Sequence, residues 1–286
     1  MANITGALNN QFLEKLSGTS GGDDFYPRGG WDMIDGGGGY DTVHVQGSSS
    51  DYKITLINAV TYIDSVSSAS SSIQETQMIN VELIQFDDKA VDLTAPMHFT
   101  NHAGDEHFVG GAGLDVLTYE LNRASYEVSK SGNLFVVTDN VGNGGVDVLT
   151  SIERLHFKDV KLALDLNGNA GDVAKIIGVV FGASAIKNHP EYMGLGLSYK
   201  DAGMTFSALM DLALKAANLT APDALVSQLW LNVMHQEGSP SELKPFVQML
   251  SSGTQPENLG VLAANTVQNL ANINLVGLTN SGVLYI

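Results

Sequence analysis

The sequence predicts an α+β chain of more than one domain, with a duplicated β-rich N-terminal part and an all-α C-terminal part. Three observations carry this. Short alternating stretches such as YKITL, TYID and LFVVTD, punctuated by Gly, Asp, Ser and Thr, occupy the chain up to residue 166. From residue 167 onward, longer segments such as GDVAKIIGVVF, SALMDLALKAAN and DALVSQLWLNVM place apolar residues at helical spacing. Finally, two stretches of the β-rich part align with one another. The implied divisions are 1–95 and 96–166 for the two β copies and 167–286 for the helices.

The bulk numbers set the limits. The chain has 286 residues, enough for one large or two ordinary domains, and its 44% hydrophobic content is that of a globular protein. It carries 31 acidic against 14 basic residues, a formal charge of −17. Such a surface repels nucleic acid and favours oxygen-seeking cations. No apolar run is long enough to span a membrane. Without a single cysteine, disulfide scaffolds, thiol nucleophiles and thiolate metal sites are excluded. The opening MANITGALNNQF has neither a basic start nor an apolar core, so it does not read as a cleavable secretory signal.

The first β copy begins with three consecutive nonapeptides, GTSGGDDFY, PRGGWDMID and GGGGYDTVH, over residues 18–44. Each has Gly at position four (Gly21, Gly30, Gly39), Asp at six (Asp23, Asp32, Asp41) and an apolar residue at eight (Phe25, Ile34, Val43). A linker needs no such register. A phosphate loop would need Lys-Ser/Thr after the glycines, or glycines that enter a helix; these enter a strand. Glycine permits the tight turns in which carbonyl oxygens converge, and the aspartate adds an anionic oxygen. The apolar residue two places on points into a core.

The second copy repeats the plan. GGGGYDTVHVQGSSSDYKI (36–54) matches GGAGLDVLTYELNRASYEV (110–128), with Gly39 on Gly113, Asp41 on Asp115 and Tyr52 on Tyr126. MINVELIQFDDKAVDL (78–93) matches LTSIERLHFKDVKLALDL (149–166), with Glu82 on Glu153, Phe86 on Phe157 and Asp88 on Asp159. Two nonapeptides are read here, NHAGDEHFV and GGAGLDVLT, the first with Glu106 in place of Asp. The helical part also repeats, at an offset of about 50: Leu212-Ala213 falls on Leu262-Ala263.

The pattern G-G-x-G-x-D-x-U-x, met in full by GGGGYDTVH and GGAGLDVLT, resembles the RTX (hemolysin-type calcium-binding) repeat of bacterial proteins exported by type I secretion. That resemblance implies a short parallel β-roll with calcium as its cofactor. Alternate turns would face each other across one ion, so turns 18–23 and 36–41 would bracket a calcium with Asp23 and Asp41 as carboxylate ligands. The implied set is Gly18, Gly21, Asp23, Asp32, Gly36, Gly39 and Asp41, with Gly113 and Asp115 in the second copy. The two turns read in that copy make no complete bracket.

The helical part resembles the α-helical domain of unknown function that often trails RTX segments, in VSQLWLNVMHQEGSPSELKPFVQMLSSG and the closing ANINLVGLTNSGVLYI. It departs from the pattern at HQEGSP (235–240), where members more often have Arg and Pro-Asp, so no ligand role carries over there. The resemblance implies export without an N-terminal signal, an extracellular or cell-surface location, and an export signal in the last residues. The expected function is a calcium-binding structural or surface protein, of surface-layer, matrix or adhesin type. Its expected partners are calcium, copies of itself, or a cell-surface or glycan ligand.

Three other features invite a functional reading. His98, His102 and His107 stand beside Asp105 and Glu106 in HFTNHAGDEH, a chemically suitable metal-scavenging loop without a helix to align it. An extracellular enzyme would need a nucleophile elbow or a partnered Ser-His-Asp set, and the serines lie instead in low-complexity stretches, GSSSD and SVSSASSSI. DLNGNAGD (165–172) begins like an EF-hand but has Ala170 and Ile176 where Gly and Glu are required, so it reads as a helix start.

Overall fold

A computed structural model of the protein describes residues 2–7, 13–57, 60–66, 75–111 and 113–286. Residues 67–73 of the serine-rich stretch, and 8–12 of the N-terminal segment, lie outside the described residues. The chain is a mixed α+β protein. Its residues fall into two compact units: Met1–Val116 with Ser131–Val137 and Asn143–Ile152, and Leu117–Lys130 with Thr138–Gly142 and Glu153–Ile286.

The first ten strands belong to the first unit: β1 (Asn3–Thr5), β2 (Leu13–Ser17), β3 (Asp24–Tyr26), β4 (Trp31–Asp35), β5 (Thr42–His44), β6 (Tyr52–Ile57), β7 (Val60–Ser65), β8 (Glu75–Ile79), β9 (Leu83–Gln85) and β10 (Ala90–Asp92). The chain alternates between two five-stranded sheets, ordered β1-β3-β5-β9-β10 and β2-β4-β8-β7-β6. In the first, β1, β3, β5 and β9 are parallel, and β10 closes antiparallel. In the second, β2, β4 and β8 are parallel, and the hairpin β6–β7 adds antiparallel strands.

The nonapeptide explains this path. A three-residue strand with one apolar residue at its centre buries only that residue, as the intermediate–buried–intermediate pattern of β3, β5 and β9 shows. Phe25, Ile34, Val43, Met78 and Ile84 thereby line a core between the sheets, joined by Ile63 from the hairpin. Burying each of these side chains contributes about 1.5–3 kcal/mol. Glycine is required where the turns stack. A Cβ on Gly36 would overlap the carbonyl oxygen of Asn80, and one on Gly39, whose φ is +113°, would overlap the backbone of Gly21 and Gly22.

Strands continue as β11 (His98–Thr100), β12 (His107–Val109), β13 (Val116–Thr118), β14 (Tyr126–Ser131), β15 (Leu134–Asp139), β16 (Val146–Thr150), β17 (Arg154–His156) and β18 (Lys161–Ala163). β12 and β16 are parallel, again in the first unit. Positions that align in sequence make the same contacts. Tyr52 packs on Phe86 and Tyr126 on Phe157, each with ring centroids 5.5 Å apart. Asp88 accepts the Ser49 N–H at 2.7 Å, and Asp159 accepts the Arg123 N–H at 2.8 Å.

The second unit carries the helices: α1 (Asn169–Phe181), α2 (Ala185–Asn188), α3 (Pro190–Asp201), α4 (Phe206–Ala216), α5 (Pro222–Met234), α6 (Pro240–Ser251), α7 (Pro256–Ala264), α8 (Val267–Asn272) and α9 (Leu275–Ser281). A last strand, β19 (Val283–Tyr285), pairs antiparallel with β18. Proline opens α3, α5, α6 and α7, where its missing N–H costs nothing. Thr205 caps α4, and Ser239 and Glu242 form a capping box on α6. α1 is buried along most of its length and packs against α3, α5 and α7. Beneath it, the guanidinium of buried Arg154 pairs with Asp165 and with Asp201, at 2.9 Å to the latter.

Candidate metal centre

The position-six aspartates stand in columns, each just ahead of an inward-pointing apolar residue. In the first column, every carboxylate reaches back to the N–H of the preceding turn. Asp23 Oδ1 accepts the Ala2 N–H at 2.6 Å, Asp41 Oδ1 accepts the Asp23 N–H at 2.8 Å, and Glu82 Oε2 accepts the Asp41 N–H at 2.7 Å. Backbone bonds run beside this ladder. Thr42 donates to Asp23 and Gly38 to Thr19, at 2.8 and 2.9 Å, while Gly18 donates to Asp35 at 2.8 Å. The turns 18–23 and 36–41 therefore lie against each other.

The two aspartates of this pair differ. Asp23 also accepts from the Thr19 N–H at 2.6 Å and its hydroxyl at 2.8 Å. These bonds, with the Ala2 N–H foremost, hold its carboxyl below the usual carboxylate range. Asp41 is pushed upward, because burial outweighs the single N–H from Asp23, and Glu82 adds repulsion. Its Oδ2 is buried with no hydrogen-bond partner. That oxygen lies beside Gly36, where an added Cβ would come within 2.6 Å of it. The Gly36 carbonyl is turned toward Gly18 and the Asn80 carbonyl toward Gly36.

Asp32 stands in the other sheet, on β4, and does not join Asp23 and Asp41. Its register neighbours are Glu14 on β2 and Thr76 on β8. It is 1% exposed, and neither carboxylate oxygen has a partner; the Thr76 hydroxyl is likewise buried and unpartnered. Burial first, and Glu14 second, raise its pKa to about 6.

The second copy repeats the ladder. Asp115 Oδ1 accepts the Met97 N–H at 2.7 Å, and the Val116 N–H donates to Met97 at 2.8 Å. Burial raises Asp115, against the Met97 and Gly111 N–H groups and the His98 charge. Gly113 sits against the carbonyl of Thr94, where a Cβ would not fit. The turn count in this copy needs correction from two to three. GNGGVDVLT (142–150) carries Gly145, Asp147 and Leu149 in the same register, and Asp147 is buried. Asp147 accepts the Glu106 N–H at 3.1 Å and the Asn101 side-chain amide at 2.8 Å. The signal stands in the sequence, in the same register of Gly, Asp and apolar residue as the turns before it.

Glu106, in the aspartate position, folds back onto its own turn and accepts the His102 N–H at 2.7 Å, as Asp23 does with Thr19. His102 pairs with Glu106 at 3.2 Å, and His107 lies 3.4 Å from the Thr150 hydroxyl. His98 is exposed on β11. Among the described residues, no three His, Cys, Asp or Glu side chains gather closely enough to hold a metal ion by themselves. A cation in these turns would therefore rely on backbone carbonyls, with one carboxylate such as Asp41 supplying charge. Calcium, which takes six to eight oxygens including carbonyls, is the ion that such a donor set fits.

No protein-family model and no curated protein matches the chain. Among solved structures, it is similar to the extracellular lipase LipA from Serratia marcescens at 11% identity and a TM-score of 0.21. That match covers 50% of this chain and 37% of the lipase chain. No helix among the described residues is long and apolar enough to cross a membrane.

Proposed function

We propose that the protein is a secreted calcium-binding structural or surface protein whose β part is a short parallel β-roll stabilised by calcium. The observation that carries this reading is the buried Asp41 oxygen left without a partner inside a turn whose carbonyls face its neighbour. An ionised carboxylate buried without a partner costs several kcal/mol, and a bound cation offsets that cost. In the first copy, Asp41 and carbonyls of turns 18–23 and 36–41 would hold the ion, while Asp23 keeps the upper turn in place through its hydrogen bonds. Calcium supplies positive charge there and no reaction chemistry.

The function that follows is coupled folding. Where calcium is scarce, a chain of charge −17 with buried aspartates is loosened by its own repulsion. Where calcium is abundant, its binding energy adds to the stability of the folded state. This suits a protein that leaves the cell before it folds and works at the cell surface or beyond, in self-assembly or in contact with a surface ligand. The direct test is calorimetric titration of the chelator-treated protein with calcium, alongside Asp41→Asn. Saturable binding, weakened about tenfold or more by the substitution, supports the reading. Equal affinity in both proteins would overturn the assignment of Asp41.

A further inference from the structure

The outer face of the parallel sheet β1-β3-β5-β9 carries a polar cleft. With Phe25, Val43 and Ile84 pointing inward, the alternation of a strand turns Tyr26, His44 and Gln85 outward. The parallel register sets these three side by side on neighbouring strands, about 4.8 Å apart. The Tyr26 and His44 rings stack, with centroids 4.5 Å apart and planes within 7°. The imidazole is fixed from behind by Asp24, at 2.9 Å. Just past the ends of these strands come Arg28, Gln46 and Asp87, which complete a cleft of about 270 Å³.

We propose that this cleft is a binding site for a neutral saccharide. The chemistry of the lining selects that class. Arg28 offers donors and Gln46 offers donors and acceptors, while Asp87 accepts the Gly47 N–H at 2.8 Å through one oxygen and has the other to offer, and Gln85 donates its amide to the Phe86 carbonyl at 2.7 Å, so the wall suits hydroxyl groups that both donate and accept. An anionic ligand would meet Asp87, and a cationic one would meet Arg28. A neutral polyol meets neither penalty, and the Tyr26 and His44 ring edges give it apolar surface to cover. The row runs across the strands, so an extended oligosaccharide would lie across the sheet rather than along it. The inference rests on the surface-protein reading for its setting and names the partner class, while the cleft itself needs only the folded β unit.

The test uses the full chain in calcium, with its fold first verified by circular dichroism. Amide spectra are recorded against cellohexaose, maltohexaose, laminarihexaose and hexa-N-acetylchitohexaose, with oligoalginate as the charged control, each up to about 10 mM. The expected result is saturable shifts at Tyr26, His44 and Gln85 with one neutral hexasaccharide, and affinity at least about tenfold weaker in Arg28→Ala and Tyr26→Ala. Arg28 is exposed, so its variant decides alone if Tyr26→Ala fails to fold. The proposal is overturned if no neutral saccharide binds, if only alginate binds, or if Arg28→Ala binds unchanged. A protein that folds equally in EDTA and still binds would sink coupled folding and leave the cleft standing.

Discussion

Asp32 and Asp41 are buried to the same extent, yet they ask different things of the protein. Asp41 spends one oxygen on the Asp23 N–H, whereas both oxygens of Asp32 lack a partner. The raised pKa of Asp32, about 6, means that the calcium-free folded state holds a proton the unfolded chain has released. Between about pH 4 and pH 6 the native state therefore binds more protons, and Asp32's contribution to stability falls as pH rises. Asp32→Asn removes this contribution and should stabilise the calcium-free protein at pH 7 by about 1–3 kcal/mol, with its stability less dependent on pH over that window. Urea denaturation of both proteins at pH 5 and pH 7 checks it; an equal loss of stability between those pH values in the two would contradict it. The register of Gly, Asp and apolar residues was legible in the sequence because nine residues carry the chain to the opposite sheet and eighteen return it to the same one. That Asp41 and Asp147 accept N–H groups from other turns was not, since those partners lie 18 and 41 residues away.

At the scale of the element, a turn tolerates no added carbon where it touches the next. Gly36→Ala places a methyl group against the Asn80 carbonyl and crowds Asp41 Oδ2. It should cost about 1–3 kcal/mol by thermal or urea unfolding, and a neutral result would mean that the turns do not stack as described. The alternating stretches and the helical spacing identified β6, β7 and β15 and the helices α1, α4 and α5, since those signals come from one buried face. The antiparallel closure by β19 was not read, because VLY is too short to reveal a partner among β17 and β18. The Arg154 network was equally hidden, for its acids come from the α1 entry and from α3. Arg154→Met leaves Asp165 without its buried counter-charge and should destabilise the helical unit by about 3–5 kcal/mol. Replacing Asp165 by Asn in the same protein should recover part of that loss, and no recovery would show that packing, not charge, is what Arg154 supplies.

For the whole molecule, the two units are built on different physics. The helical unit has a continuous apolar core around α1, with Val173, Ile176, Ile177 and Val180 all buried. The β unit interleaves its core with buried carboxylates, and the chain as a whole is strongly acidic. Calcium should therefore act unequally, with β structure gained on its addition while the helical signal changes little. Circular dichroism and thermal unfolding of the chelator-treated full chain, titrated with calcium and separately with magnesium, test this most directly. A saturable gain of β signal and a rise in the unfolding midpoint are expected with calcium, and little response to magnesium. The same spectrum and the same midpoint in EDTA and in saturating calcium would contradict coupled folding.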